Sequence, residues 1–384
     1  MSEDNNPWIG AYGDRLARTP HLDALARRGL LYRHAWSAAP VCAPSRFAIL
    51  TVVHPESCAP ANHMRAVAKL DGELRTYPEL LRDAGYYCTN NSKTDYFSRE
   101  PAPGGLASGR RRARRDKNCD VDPAAIWSES GASAHWRNRP SGAPFMAVFN
   151  LGTTHESFLF EPVAGAVAPA EVRVPAYLPD TPEIRQDFAT YYNLIERMDA
   201  EVGARLKELD DAGIADDTVV FYYSDNGGAL PRTKRYCYDQ GLHCALVVSV
   251  PPRWAHLAPA SMGSVVETPT SLVDLAPTLL SIAGVDAPPE MQGVAFLGRR
   301  VGPPRRYVFG MRNRMDERYG LRACGERRPV PLPQELHAAP GVPARRVRVA
   351  GQGLSELGAR VPRGSSRRSA APLLRWPPTV RGAV

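Results

Sequence analysis

The sequence predicts an α/β fold built on a mostly parallel sheet with helices on its faces, and three observations carry that prediction. Apolar runs at 145–150 and 218–223 are continuous rather than alternating, as in strands covered on both sides. Between them Ile184, Phe188, Tyr191, Ile195, Met198, Val202, Leu206 and Leu209 recur every three or four residues, the period of a helix. Strand and helix signals alternate along the chain, which is the pattern of parallel crossover units. Sheets of this kind bind ligands at the carboxyl ends of their strands.

In chain order, Thr19-Pro20 opens a helix with Leu22, Leu25 and Ala26 on one face. Residues 29–32 read as a short strand. Cys42-Ala43-Pro44-Ser45-Arg46 follows at a loop-to-helix turn, with Pro44 suited to the first helical turn because it lacks an N–H. Cys42 then sits at a helix N-terminus, where free N–H groups and the helix dipole favour an anion. Arg46 adds a planar cation that can fork onto an oxyanion. Residues 77–84 are helical, 85–89 return as a strand, and Gly142-Ala143-Pro144 introduces the strand at 145–150. Pro182 opens the long helix, and the strand at 218–223 ends at Ser224-Asp225-Asn226-Gly227. Alone, that last run is more often a plain turn.

The 384 residues are enough for a large core, in one large or two medium domains. The net charge of +8 is unevenly placed. Residues 321–384 hold 12 Arg and 3 Glu, while the other 320 carry 36 basic and 37 acidic groups. The body is therefore near neutral, and the basic character belongs to the tail. Nucleic-acid binding is not expected, because the run Arg110-Arg111-Arg112-Ala113-Arg114-Arg115 carries no interleaved aromatics. The segment 97–117 is expected to be a disordered insertion and 321–384 a disordered tail, whose Pro, Ala, Gly and Arg content suggests an out-of-frame reading of GC-rich sequence. Seven cysteines show no metal or disulfide spacing. No run is long enough to span a membrane, and residues 1–4 contain no secretory leader. The chain as written is expected in the cytoplasm, with a start further upstream left open.

Several of these motifs together resemble the type I sulfatases over residues 2–96 and 118–320. The Cys42-to-Arg46 run, continued by Phe47-Ala48-Ile49-Leu50-Thr51, is similar to the family signature. There a cellular formylglycine-generating enzyme oxidises the cysteine to formylglycine. The resemblance implies the alkaline-phosphatase-like sulfatase fold, with residues 1–96 and 118–320 as the catalytic domain. It places Glu3 and Asp4 at the family's first acidic pair, and Asp225 and Asn226 at its second. With the oxidised Cys42 these would hold Ca²⁺, which prefers hard oxygen ligands. It also places Arg46, Lys93, His155 and Lys234 among the catalytic residues. The implied reaction is hydrolysis of a sulfate ester or N-sulfate on a small molecule or sugar, with His155 as candidate proton donor. Residues 174–226 look most like the heparan N-sulfatase branch. Phosphate or phosphonate ester hydrolysis in the same superfamily, or a chain that has lost catalysis, are the alternatives.

The resemblance also marks departures. The family's opening strand, which delivers the first acidic pair, has no counterpart ahead of Glu3. Val52 stands where the family has glycine, and Asp95 replaces a histidine common two residues after the lysine. The C-terminal small domain is replaced by the Arg-rich tail. Weak turnover of a generic aryl sulfate is the expectation unless a strand ahead of Met1 and a glycine at 52 are supplied.

Overall fold

The computed structural model describes residues 1–64, 70, 74–93, 123–315, 322–327 and 330–335. The strands around the site are β1 (Leu30–Tyr32), β2 (Tyr87–Asn91), β3 (Glu129–Gly131), β4 (Phe145–Phe149), β5 (Val220–Tyr223), β6 (Leu246–Ser249) and β7 (Val265–Val266). They form two half-sheets. The first, in the order β3-β2-β4, is wholly parallel, with Cys88 opposite Met146 and Asn90 opposite Val148. The second has the order β5-β6-β1-β7, and only β6 runs against its neighbours. The expected α/β class with a mostly parallel sheet is what the chain adopts.

The helices α1 (Pro20–Arg27), α2 (Cys42–Thr51), α3 (Tyr77–Asp83), α4 (Pro182–Asp211) and α5 (Leu275–Ala283) cover the two faces. On one face Leu22 and Leu25 of α1 pack with Ile184, Phe188, Ile195 and Met198 of α4 against Leu31, Tyr222 and Val247. On the other, Ala48 and Leu50 of α2 meet Tyr77 and Leu81 of α3, Leu280 of α5 and the strand residues Cys88 and Met146. The periodic residues of α4 thus fill the core as their spacing requires. The Thr19 hydroxyl does not cap α1 as expected. It accepts from Gly10 N–H at 2.9 Å and donates to Asp23 Oδ1 at 3.1 Å, tying the preceding loop to the helix instead.

Met1 and Ser2 stitch the two half-sheets together. Ser2 N–H donates to Tyr223 O at 2.9 Å, while Leu151 N–H donates to Met1 O at 2.9 Å, and Ser2 bridges in parallel to both Leu151 and Ser224. Behind this two-residue stitch, β4 and β5 flank a cavity of about 650 Å³ lined by Phe145, Ala147, Phe149, Phe221 and Tyr223. No strand stands between them among the described residues, and the acidic pair is held by the bridges at Ser2.

Arg322–Arg327 and Val330–Glu335 are strands β9 and β10, paired antiparallel behind β8 (Val308–Arg312). These twelve residues lie in the segment read from composition as a tail without structure; β9 pairs with β8, and β10 pairs with β9. The rest of that tail, and the insertion at 97–117, fall outside the described residues, as does Asp95.

Candidate active site

The carboxyl ends of the central strands converge with the start of α2. Lys93 lies two residues past β2, Asn150 to His155 follow β4, and Asp225-Asn226 follow β5. Cys42 is the first residue of α2, and Arg46 is one turn further on. All nine residues singled out from sequence meet here: Glu3, Asp4, Cys42, Arg46, Lys93, His155, Asp225, Asn226 and Lys234.

Asp4 is the hub. Its Oδ2 accepts from Lys234 Nζ at 2.6 Å and from Glu156 N–H at 2.9 Å, and its Oδ1 accepts from Asn226 Nδ2 at 2.9 Å. Cys42 Sγ lies 4.0 Å from the same Oδ1. Burial alone would raise the Asp4 carboxyl, but Lys234 foremost, with His155 and the hydrogen bonds, holds it well below the usual carboxylate range. Arg46, fully buried, donates from Nε to Asp225 Oδ2 at 2.7 Å and from a terminal nitrogen to Asn150 Oδ1 at 2.5 Å. Asp225 Oδ1 accepts from Asp4 N–H at 3.2 Å, so the two acidic pairs are joined directly.

Glu3 faces a different set of groups. Lys93 Nζ contacts its Oε2, His155 Nε2 lies 4.0 Å from that oxygen, and Arg46 approaches Oε1 at 3.9 Å. Ligand atoms of Glu3, Cys42 and His155 fall within 4.8 Å of one another. His155 Nδ1 accepts from Ser157 N–H at 3.2 Å, which assigns the ring proton of the neutral form to Nε2. Cys42 Sγ, Lys93, His155 and Lys234 line an open cleft of about 540 Å³. Burial pushes the Cys42 thiol well above its ordinary range despite Lys234 and Lys93, so it is no ready thiolate nucleophile.

Three further residues belong to the site and were not singled out from sequence. Asn150 receives Arg46 and donates to Asn91 O at 2.6 Å and Asn90 Oδ1 at 3.0 Å. Glu156 stands 3.6 Å from Lys234 Nζ and takes a two-pronged ion pair from Arg235 at 2.6 and 2.7 Å. The only sequence signal for these was adjacency: Glu156 follows His155, Arg235 follows Lys234, and Asn150 ends a buried strand.

The donor set fits a hard divalent cation. Asp4, Asp225 and Asn226 are fully buried, and Asn226 Oδ1 has no hydrogen-bond partner. An unsatisfied buried amide oxygen, on a side chain whose nitrogen donates to the Asp4 carboxylate, is costly by itself and suited to an oxygen-seeking ion. The thiol of Cys42 is too soft for that ion, so an oxygen at position 42 would complete the set. Glu3, Asp4, Asp225 and Glu156 are matched by Arg46, Lys93, Lys234 and Arg235. The protein charges therefore balance, and a bound divalent ion would leave the surplus that draws in an anion.

The chain is similar to several known proteins. The family model described as Sulfatase matches residues 1–285. An ulvan-active sulfatase of Formosa agariphila is 36% identical over 378 residues, covering 85% of this chain and 59% of that protein. The human N-sulphoglucosamine sulphohydrolase is 30% identical over 310 residues, covering 75% of this chain and 60% of that protein. The chain thus spans about three fifths of the length of these relatives. Among solved structures, a phosphonate monoester hydrolase from Silicibacter pomeroyi superposes with a TM-score of 0.65 at 18% identity, over 87% of this chain and 86% of that one. A family model that covers most of the sequence, a relative above one-third identity and the shared alkaline-phosphatase-like fold lead to one conclusion: the chain belongs to the sulfatase family.

Proposed function

We propose that the chain hydrolyses sulfate esters or N-sulfates on sugars, using a formylglycine derived from Cys42 and a calcium ion. The observation that carries this reading is Cys42 at the head of α2, opening into the cleft among Lys93, His155 and Lys234 with an oxygen donor set beside it. Asp4, Asp225, Asn226 and an oxygen at position 42 would hold the calcium, with Glu3 at the edge of the set. Bound there, the ion would polarise a sulfate oxygen and the nucleophilic oxygen of the oxidised residue. The relatives named for ulvan and for N-sulphoglucosamine support a sulfated saccharide as the substrate class.

The roles of the chain's own residues follow from their placement. Lys93 and Lys234 present ammonium groups to the sulfate oxygens, where charge grows in the transition state. Arg46 stays locked on Asp225 and Asn150 and fixes the start of α2. His155, with its proton on Nε2, donates to the departing oxygen or nitrogen. Glu156, clamped by Arg235, keeps Lys234 beside Asp4.

The test is to produce the chain together with a formylglycine-generating enzyme and compare a sulfate ester with a phosphonate monoester. Sulfate release that exceeds phosphonate hydrolysis, and that disappears in Cys42→Ala, is the expected result. Preference for the phosphonate would move the chain to the phosphate-ester side of the superfamily.

A further inference from the structure

We propose that Phe158 is a stacking platform for the leaving group, and that the cavity on its far side receives an uncharged neighbouring sugar ring; this rests on the sulfatase reading of the adjoining cleft. Phe158 lies on a short 3₁₀ turn, Glu156–Phe160, that starts directly after His155. Phe158 N–H donates to His155 O at 3.0 Å, so the ring's position is tied to that of the proton donor. The neighbouring Leu159 is 3% exposed and anchors the turn, whereas Phe158 is 52% exposed. Exposure of a single ring is ordinary by itself, but beside the cleft this one offers a flat apolar face to whatever the cleft holds.

What that contact is follows from the two cavities the ring touches. Phe158, Asn150 and Gly152 line both the 540 Å³ cleft with Cys42 and a second cavity of about 490 Å³. The far wall of the second cavity is α4, through Glu201, Arg205 and Glu208. Glu208 takes Arg205 at 2.6 Å and His135 at 2.9 Å, and Glu201 accepts from Thr153. This wall is rich in acceptors and has no surplus of positive charge. It suits the hydroxyls of a neutral ring and disfavours a second sulfate. The C–H face of a sugar ring lies flat on a phenyl group while its hydroxyls reach the sides. A saccharide sulfated on the ring in the cleft and unsulfated on the next ring meets all these conditions.

Binding measured by calorimetry on the unconverted Cys42 protein tests this without any turnover. The probes are a monosulfated disaccharide, the same disaccharide with a sulfate on both rings, and inorganic sulfate. Phe158→Ala should weaken the monosulfated disaccharide about tenfold and leave inorganic sulfate within about twofold, while Phe158→Trp keeps both. The doubly sulfated probe should bind more weakly than the singly sulfated one. No disaccharide binding by the wild type, no effect of Phe158→Ala, or equal weakening of inorganic sulfate would each overturn the platform. So would tighter binding of the doubly sulfated probe. Phe158-dependent binding without sulfate release after conversion would leave the platform standing and overturn the sulfatase reading instead.

Discussion

Among the described residues five non-glycine positions have left-handed backbone, and four of them touch the site directly or close an element that carries it. Asp4 has φ 49°, Ser92 precedes Lys93, Arg235 follows Lys234, and Val52 at φ 60° ends α2. Such conformations cost about 1–2 kcal/mol each and persist where surrounding contacts impose them. Position 52 thus has the left-handed backbone that glycine adopts freely, filled instead by a β-branched residue that is fully buried. Relief of strain and loss of a buried side chain are of similar size there. Val52→Gly should consequently be more stable than Val52→Ala by about 1 kcal/mol, the reverse of the order in an ordinary helix. Urea unfolding of the two variants decides it, and an alanine variant equal to or above glycine would remove the strain argument. Lys234 offers a second residue-scale prediction. It is buried against Asp4, while Glu156 keeps its ion pair with Arg235, so Lys234→Ala leaves the Asp4 carboxylate without its cation and should cost about 3 kcal/mol. Added calcium should restore more stability in this variant than in the wild type, as read from melting temperature. An equal calcium response would argue against an ion beside Asp4.

At the scale of elements, the sequence was most legible where strands end. Lys93, His155 and Asp225-Asn226 each follow an apolar run, and parallel topology alone sends such positions to one edge. The Glu156–Arg235 clamp was not legible, because adjacent charged residues read as solvated surface until the chain brings them together across 79 positions. Strands β9 and β10 were not legible either, since their Arg and Pro content hides the alternation that marks strands. The turn Pro55–Ser57 carries a prediction that composition could not offer. Glu56 there accepts from Asn313 Nδ2 at 2.9 Å, and burial pushes its carboxyl up to about 7. The folded state then holds a proton that the unfolded state releases above about 4.5, so this group lowers stability as pH rises from there to about 7. Glu56→Gln should keep the acceptor, remove that loss and stabilise the protein by about 2 kcal/mol at pH 8, with little effect at pH 4. Equal effects at both pH values would show that Glu56 titrates as an exposed group.

At the scale of the whole molecule, the backbone bridges between the two half-sheets among the described residues run through Met1 and Ser2, beside a cavity of about 650 Å³. An apolar strand of about five residues joined ahead of Met1 would bury about four side chains, worth roughly 6–12 kcal/mol, against about 1–2 kcal/mol per residue for ordering the backbone. At the midpoints the balance is a net gain of about 1–2 kcal/mol, visible as a higher urea midpoint that an extension of alternating Asp and Lys does not give. An unchanged midpoint with the apolar extension would mean that the cavity does not accept a strand. A better-braced sheet also holds Glu3 and Asp4 more firmly toward Asp225 and Asn226, and so favours the ion. All of this chemistry depends on what stands at position 42. The most direct measurement is the mass of the Cys42 peptide from protein that releases sulfate. An aldehyde residue at 42 in the active fraction is the expected result, and sulfate release by protein whose Cys42 is still a thiol would contradict the formylglycine mechanism.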